Sequence, residues 1–205
     1  MSFRNCLRVA VGLLLAALGT AASADTITFG GLGGANGDPF PSPYAENNWI
    51  VQSVAGNWFQ GQDFGNPVPS VFAGPVGSPG PSNVLLITDV SNSFFNFTSA
   101  DLACNNGTDC PFVFVGLVGG GTVYTNPGSV TAGPPFQFFT EVNPDSGIAI
   151  DALAIGIGPG DGTTSMNVDN IVLSLVRSNV PEPSAVALLA LALLGMGLVA
   201  RRQRS

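Results

Sequence analysis

Period-two alternation is clearest in the stretch Met166-Asn-Val-Asp-Asn-Ile-Val-Leu-Ser-Leu-Val176. Every second residue from Ile171 to Leu175 is a large apolar residue, so one face of an extended chain here is continuously hydrophobic. Similar runs of β-branched and aromatic residues recur between clusters of Gly, Pro and Asn, at 26–29, 49–54, 57–59, 83–90, 93–98, 111–117, 122–125, 136–142 and 147–157. No part of the chain between residues 25 and 180 shows helical periodicity. About ten short strands predict one all-β domain, a jelly-roll-like β-sandwich.

Composition supports a folded domain and excludes several function classes. Among 205 residues there are 27 Gly and 16 Pro, and the Pro-rich stretch 61–82 is expected to be a long surface loop. Apolar residues make up 45% and charged residues 9% of the chain, which is unlike a charged disordered protein. The absence of His removes Ser-His-Asp and Cys-His catalysis and His-ligated metals. Six Arg and no Lys cannot form the basic patch that nucleic-acid binding requires.

The N-terminal residues have the three parts of a signal peptide. Arg4 and Arg8 precede the apolar run Val9–Leu18, and the small residues Ala22 and Ala24 frame a cleavage site before Asp25. We therefore expect residues 1–24 to be a signal peptide. The alternative is a retained membrane anchor, but the apolar run is short for a membrane span.

The C-terminal residues predict a membrane helix preceded by a stiff segment. Pro181 and Pro183 flank Glu182 and hold the chain extended, since each proline fixes its own φ and disfavours helix at the preceding residue. Residues 184–200 carry no charge and are just long enough to span a bilayer as a helix. The cations Arg201, Arg202 and Arg204 then place the tail 201–205 in the cytoplasm and the body across the membrane.

This order of Pro-Glu-Pro, apolar helix and Arg-rich tail in residues 180–205 resembles the PEP-CTERM sorting signal of Gram-negative bacteria. The resemblance implies that an exosortase in the inner membrane recognises Pro181, Glu182 and Pro183 and cuts near them. The body would then pass from an inner-membrane-anchored precursor in the periplasm to the cell surface or the medium. Members of the family are associated with exopolysaccharide and biofilm matrix. The alternative is an ordinary single-pass anchor with a Pro-rich stem.

The body, which is the predicted β-sandwich domain at residues 25–179, is acidic. Residues 25–180 contain 12 acidic residues and one base, Arg177, which gives a formal charge of −11. That charge disfavours anionic partners and is compatible with neutral glycans or divalent cations. We expect a non-enzymatic surface or matrix protein, with a carbohydrate-binding module as the alternative function.

An enzyme is the least favoured class. Glycoside hydrolysis requires two facing carboxylates. The body has two Glu, Glu46 and Glu141, and its Asp residues occur mostly in turns, where they serve turn geometry. No cluster of acids on one strand is apparent.

Cys104 and Cys110 are the two cysteines that remain after removal of the signal peptide, and they enclose five residues. An even pair in an exported protein predicts a disulfide. A metal or redox site of this spacing is the alternative, but zinc would need two further ligands.

A structural calcium ion is a candidate cofactor. Asp161 and Asp169 occur near the last strand together with Asn167 and Asn170, and hard cations prefer such oxygen ligands. In sandwich folds the last strand often pairs near the first, so Asp25 is a further candidate. The alternative is that these are ordinary polar residues at a strand edge.

Glycan binding depends on aromatic residues near the start of the body. Trp49 and Trp58 occur with Tyr44 and Phe59 and with the amides of Asn47, Asn48 and Asn57. Exposed aromatic faces stack on sugars while amides bind hydroxyl groups. The alternative is that both Trp belong to the core, where large aromatic residues are mostly found.

Overall fold

The computed structural model describes residues 24–74, 82–105, 109–131, 137–158 and 165–176. Within these ranges the chain is all-β without a helix, and its strands form two antiparallel sheets of six strands each. The strands are β1 (Ala24–Ile27), β2 (Tyr44–Glu46), β3 (Trp49–Ala55), β4 (Trp58–Gly61), β5 (Ser70–Ala73), β6 (Asn83–Asp89), β7 (Phe95–Asn105), β8 (Cys110–Val118), β9 (Gly121–Val130), β10 (Phe138–Val142), β11 (Ala152–Ile157) and β12 (Ser165–Leu175). The prediction of an all-β sandwich is confirmed.

The two sheets have different strand orders. Sheet A has the order β10-β7-β12-β5-β4, and β1 also pairs with β12. Sheet B has the order β2-β3-β6-β11-β8-β9. Strand β12 therefore pairs with three strands that are distant in sequence, which confirms that the last strand lies beside the first.

The core lies between the sheets, and burial alternates along the strands. In β6, Leu85 and Ile87 are fully buried, whereas Val84, Leu86 and Thr88 are only partly buried on the opposite face. Aromatic rings join the two sheets: Trp49 packs edge-on against Phe95 with ring centroids 5.0 Å apart. Each such buried side chain contributes about 1.5–3 kcal/mol of hydrophobic stabilisation.

The predicted long loop at 61–82 is wrong in part. Ser70–Ala73 forms β5, which pairs with β4 on one side and with β12 on the other. The strand forms because Val71 and Ala73 are buried in the core and its backbone groups are paired on both sides. Residues 75–81 lie outside the described part of the chain.

Two loops and both ends of the described chain lie together at one end of the sandwich. The β6–β7 turn, residues 90–94, lies beside the end of β12, since the Val176 amide donates to the Phe94 carbonyl at 2.9 Å. The loop 143–151 lies at the same end, because Phe95 and Ile150 exchange both backbone hydrogen bonds at 2.8 Å. We call this the exit end, and it also contains the start of β1, where Ala24 faces Ser174.

Candidate functional site

A row of buried polar side chains lies on the outer face of sheet A. In β7, Leu102 and Cys104 point into the core, so the alternate residues Asp101 and Asn105 point outward. The outward residues are nevertheless buried. Asn66, between β4 and β5, contacts this face, since its side-chain amide donates to Asp101 Oδ2 at 3.4 Å. We call this set the sheet A polar cluster: Ser70, Asp101, Asn105, Asn167 and Asp169.

Asp169 is the most buried carboxylate of this cluster. Its Oδ2 atom accepts a hydrogen bond from the Asn66 amide at 2.7 Å, and its Oδ1 atom accepts one from the Asn170 amide at 2.8 Å. Burial raises the pKa of Asp169 to about 7 against the lowering effect of these amides, and the negative charges of Asp101 and Glu46 raise it further. The side chain is therefore partly protonated near neutral pH.

Asp101 is the cross-strand partner of Asp169 and is held by side chains. Its Oδ1 atom accepts a hydrogen bond from the Thr140 hydroxyl at 2.6 Å, and its Oδ2 atom accepts one from the Asn170 amide side chain at 2.8 Å. Asn170 reaches this position because β12 is irregular between Asp169 and Val172 and Asn170 has a positive φ of 43°. Asn tolerates that left-handed conformation better than most residues.

The rest of the cluster is a chain of amides and hydroxyls. The Asn167 side-chain amide donates to the Ser70 hydroxyl at 2.8 Å, and the Asn105 amide donates to the Ser165 hydroxyl at 2.9 Å. Asn105 also donates to the Asn167 side-chain oxygen. These bonds satisfy polar groups that would otherwise be costly to bury.

An aromatic pair borders this cluster on the same face. Phe59 and Phe72 are cross-strand partners with stacked rings whose centroids are 5.4 Å apart. Both rings are only partly buried, and Phe72 also lies opposite Asn167 in the β5–β12 pair. Partly exposed aromatic faces thus adjoin a row of amide and hydroxyl groups.

The structure separates the residues predicted to bind calcium. Asn167, Asp169 and Asn170 lie on β12, whereas Asp25 lies on β1 opposite Leu173, and its carboxylate accepts hydrogen bonds from Trp49 and Asn47. Asp161 lies outside the described residues. Within the described ranges no group of three or more His, Cys, Asp or Glu is arranged to hold a metal ion. Calcium binding by Asp161 and Asp169 stays a prediction.

Glycan stacking by the two Trp residues is wrong. Trp49 is fully buried and donates its indole N–H to Asp25 Oδ2 at 3.0 Å. Trp58 is 4% exposed and donates its indole N–H to the Ala55 carbonyl at 3.0 Å. Both rings complete the core, as expected for large aromatic side chains, and neither offers a face to a sugar.

Sequence reasoning missed several residues of this face. Asp101 and Asn105 were overlooked because the predicted strand ended at residue 98, whereas β7 continues to Asn105. The signal was present in Ser99-Ala-Asp-Leu-Ala-Cys-Asn105, which alternates polar and apolar residues. Phe72 was overlooked because it lies in the stretch predicted to be a loop.

The predicted disulfide is confirmed: Cys104 and Cys110 are joined, with Cα atoms 5.7 Å apart, and link the end of β7 to the start of β8. Ala24 and Asp25 of the predicted signal cleavage site belong to β1. The other residues of the predicted signals lie outside the described part of the chain, namely Ala22, Pro181, Glu182, Pro183, the apolar segment 184–200, Arg201, Arg202 and Arg204. In the part of the chain that is described, no helix is long and apolar enough to cross a membrane.

Solved structures are similar to this chain at low sequence identity. A DUF4465 family protein from Bacteroides caccae ATCC 43185 superimposes with a TM-score of 0.50 at 8% identity, covering 74% of this chain and 98% of the other. The K2 cleaved adhesin domain of Lys-gingipain gives a TM-score of 0.48 at 14% identity, over 76% and 100% of the two chains. A family 29 carbohydrate-binding module from Piromyces equi gives 0.45 at 11% identity, over 77% and 93%. At 8% identity, the likeness to the DUF4465 family protein shows the fold alone.

Sequence comparison identifies the C-terminal signal. No curated protein matches the chain. The family model described as the PEP-CTERM protein-sorting motif matches residues 179–204, which include Pro181, Glu182, Pro183 and the three Arg of the tail. The chain therefore carries a PEP-CTERM protein-sorting motif at its C-terminal end.

Proposed function

We propose that this protein is an exported, non-enzymatic component of the cell surface or the extracellular matrix, associated with exopolysaccharide or biofilm. In this proposal an exosortase recognises Pro181, Glu182 and Pro183 in an inner-membrane-anchored precursor whose body lies in the periplasm. The observation that carries it is the PEP-CTERM motif at residues 179–204. The disulfide between Cys104 and Cys110 suits an oxidising compartment outside the cytoplasm.

The positions of the two Glu support a non-enzymatic role. The Glu46 carboxylate accepts hydrogen bonds from the Thr28 hydroxyl at 2.9 Å and from the Tyr44 hydroxyl at 2.8 Å. Glu141 lies on β10 of the other sheet, where burial raises the pKa of its carboxyl. The two therefore do not form the facing pair that glycoside hydrolysis uses.

Replacing the sorting residues tests the proposal. The Glu182→Ala, Pro183→Ala double variant is expected to keep the full-length C-terminus and to accumulate in the membrane fraction, because the exosortase no longer recognises it. Mass spectrometry of the C-terminal peptide in each cell fraction measures this. Glu141→Ala is the matched control, since it removes a Glu from the body and leaves the motif intact. Equal processing of the double variant and the native chain would exclude exosortase sorting.

A second candidate function is binding of a neutral polysaccharide by the outer face of sheet A. It is favoured by the stacked, partly exposed pair of Phe59 and Phe72 on that face. Exposed aromatic rings stack on sugar rings. The acidic body disfavours a negatively charged glycan.

Affinity electrophoresis of the processed protein in gels containing neutral polysaccharides tests this second function. Phe72→Ala is expected to abolish a retardation that the native protein shows, because the stacking face is lost. Phe94→Ala, which removes an exposed phenyl ring at the exit end, is the matched control and is expected to keep the retardation. Equal retardation of all three proteins would place any glycan site elsewhere.

A further inference from the structure

Exposed apolar side chains gather at the exit end of the sandwich. Among the described residues, Val90 is 47% exposed, Phe94 45%, Ile148 39% and Val176 42%. The backbone of Val176 is hydrogen-bonded to Phe94, and Ile148 lies two residues from Ile150, the partner of Phe95. We call these four residues the exit-end patch. Grouped exposed apolar side chains of this kind mark interaction surfaces.

Both chain ends leave the body beside this patch. Ala24 at the start of β1 faces Ser174 near the end of β12, so the two ends emerge from neighbouring strands. Pro181 follows Val176 by five residues, which span at most about 18 Å. The apolar segment that starts at Ser184 lies at most about 28 Å along an extended chain from Val176. The exit end is therefore tethered close to wherever that segment enters a membrane.

The charges at the exit end are compatible with an apolar contact. Asp89 is buried and accepts hydrogen bonds from the Ser91 and Ser93 amides at 2.9 and 3.0 Å. Asp25 accepts hydrogen bonds from Asn47 and Trp49. In the loop 143–151, Asp145 accepts a hydrogen bond from the Asn126 side-chain amide at 3.1 Å, and Asp151 accepts one from the Gly119 amide at 2.6 Å. The single base of the body, Arg177, follows Val176 directly in the sequence. Attraction of this end to a lipid surface therefore depends on its apolar side chains.

We propose that the exit-end patch lies against the lipid bilayer in the membrane-anchored precursor, with Phe94 and Val90 at the level of the headgroups. This rests on the proposed membrane insertion of residues 184–200. The contact orients the sandwich with its exit end on the membrane and its opposite end, including Asn57, away from it. It also holds Pro181, Glu182 and Pro183 at the membrane surface.

Fluorescence quenching of the reconstituted full-length chain tests the proposal. In a Cys6→Ser background, Phe94→Cys is labelled with an environment-sensitive dye, and the chain is inserted into phosphatidylcholine vesicles that carry a lipid-attached quencher. Asn57→Cys, an exposed position at the opposite end, is the matched control. Val90→Cys provides a second exit-end position should Phe94→Cys not fold, and fluorescence of the buried Trp residues reports folding.

Several-fold stronger quenching at position 94 or 90 than at position 57 is the expected result. Chain that floats with the vesicles and shows equal quenching at both ends overturns the lipid contact but retains the membrane anchor. Chain that does not float with the vesicles overturns both the anchor and the contact. Shielding of position 94 only after an exosortase is added would assign the patch to a protein partner and overturn the lipid contact.

Discussion

Asp169 shows how far a residue's environment can differ from what its sequence neighbours indicate. An Asp beside an Asn before an apolar strand suggested a cation ligand or an exposed strand edge. In the structure the carboxylate is fully buried under the segment that contains Asn66, and it accepts two backbone hydrogen bonds. This environment follows from a contact between residues 66 and 169, which no local pattern encodes.

The buried carboxyl predicts a pH-dependent stability. Its pKa rises from 3.8 to about 7 on folding, so the native state binds the proton more tightly than the unfolded state does. The stabilisation is fully present below about pH 4 and is lost as the pH rises through about 7, a contribution on the order of 4 kcal/mol. Urea unfolding across this range, in buffer with a chelator, measures it.

Asp169→Asn is the matched variant for this measurement. The amide does not titrate, so the contribution of this residue to the pH slope disappears. The variant is expected to have a lower free energy of unfolding than the native protein below about pH 4, since one amide hydrogen would face a backbone N–H. This difference narrows as the pH rises through about 7, because the native protein there loses the contribution of the protonated carboxyl. An unchanged pH slope in the variant would show that Asp169 is not the titrating group.

Among the strands, β12 is the one whose structure was most predictable from the sequence. Its alternating apolar residues indicated a strand with one buried face, and Ile171 and Leu173 are fully buried. The irregularity at Asn170 was not predictable, because it depends on the carboxylate of Asp101 across the sheet. Asn170 has positive φ and uses its side chain to hold Asp101, so backbone and side chain act together.

Two substitutions at Asn170 separate these contributions. Asn170→Gly retains easy access to positive φ and loses the hydrogen bond to Asp101, whereas Asn170→Ala loses both. The Ala variant is expected to be less stable than the Gly variant by about 1 kcal/mol, because a Cβ disfavours the left-handed region. Chemical denaturation of the two proteins gives the difference. Equal stabilities would mean that β12 adopts another backbone conformation when the hydrogen bond is lost.

The sequence predicted long strands well and short ones poorly. β6 and β8 were recognised because each contains a run of consecutive apolar residues, Val-Leu-Leu-Ile at 84–87 and Phe-Val-Phe-Val at 112–115, bounded by Gly, Pro or Asn. β2 has three residues and β5 has four, too few to show a period. β2 forms a hairpin with β3, and β5 pairs with the neighbouring β4 and with the distant β12. The sheet A polar cluster was missed because it needs β5, β7 and β12 side by side.

At the scale of the whole molecule, sheet A depends on its last strand. Strand β12 joins β7 on one side to β1 and β5 on the other. Without it, β4 and β5 would form one isolated pair and β7 and β10 another. Isolated two-stranded pairs are at best marginally stable in water.

A chain that stops after residue 164 is therefore expected to lose cooperative unfolding. Its Trp emission should shift to longer wavelength, because Trp49 packs against Phe95 of sheet A and would become hydrated. A chain that stops after residue 180 retains all of β12 and provides the control. Cooperative thermal unfolding of the shorter chain, followed by circular dichroism, would contradict the assigned role of β12.

The pairing of β1 with β12 also delays the folding of sheet A during export. If the chain crosses the membrane N-terminus first, β1 emerges first and β12 last. β1 therefore lacks its partner strand during most of the translocation. Contacts between such distant segments form slowly. A molecule stalled before residue 165 would present unpaired strand edges to proteases and to other chains. Sheet A is complete only after the whole body has crossed the membrane, because β12 joins its other strands. The sorting segment follows β12 in the sequence.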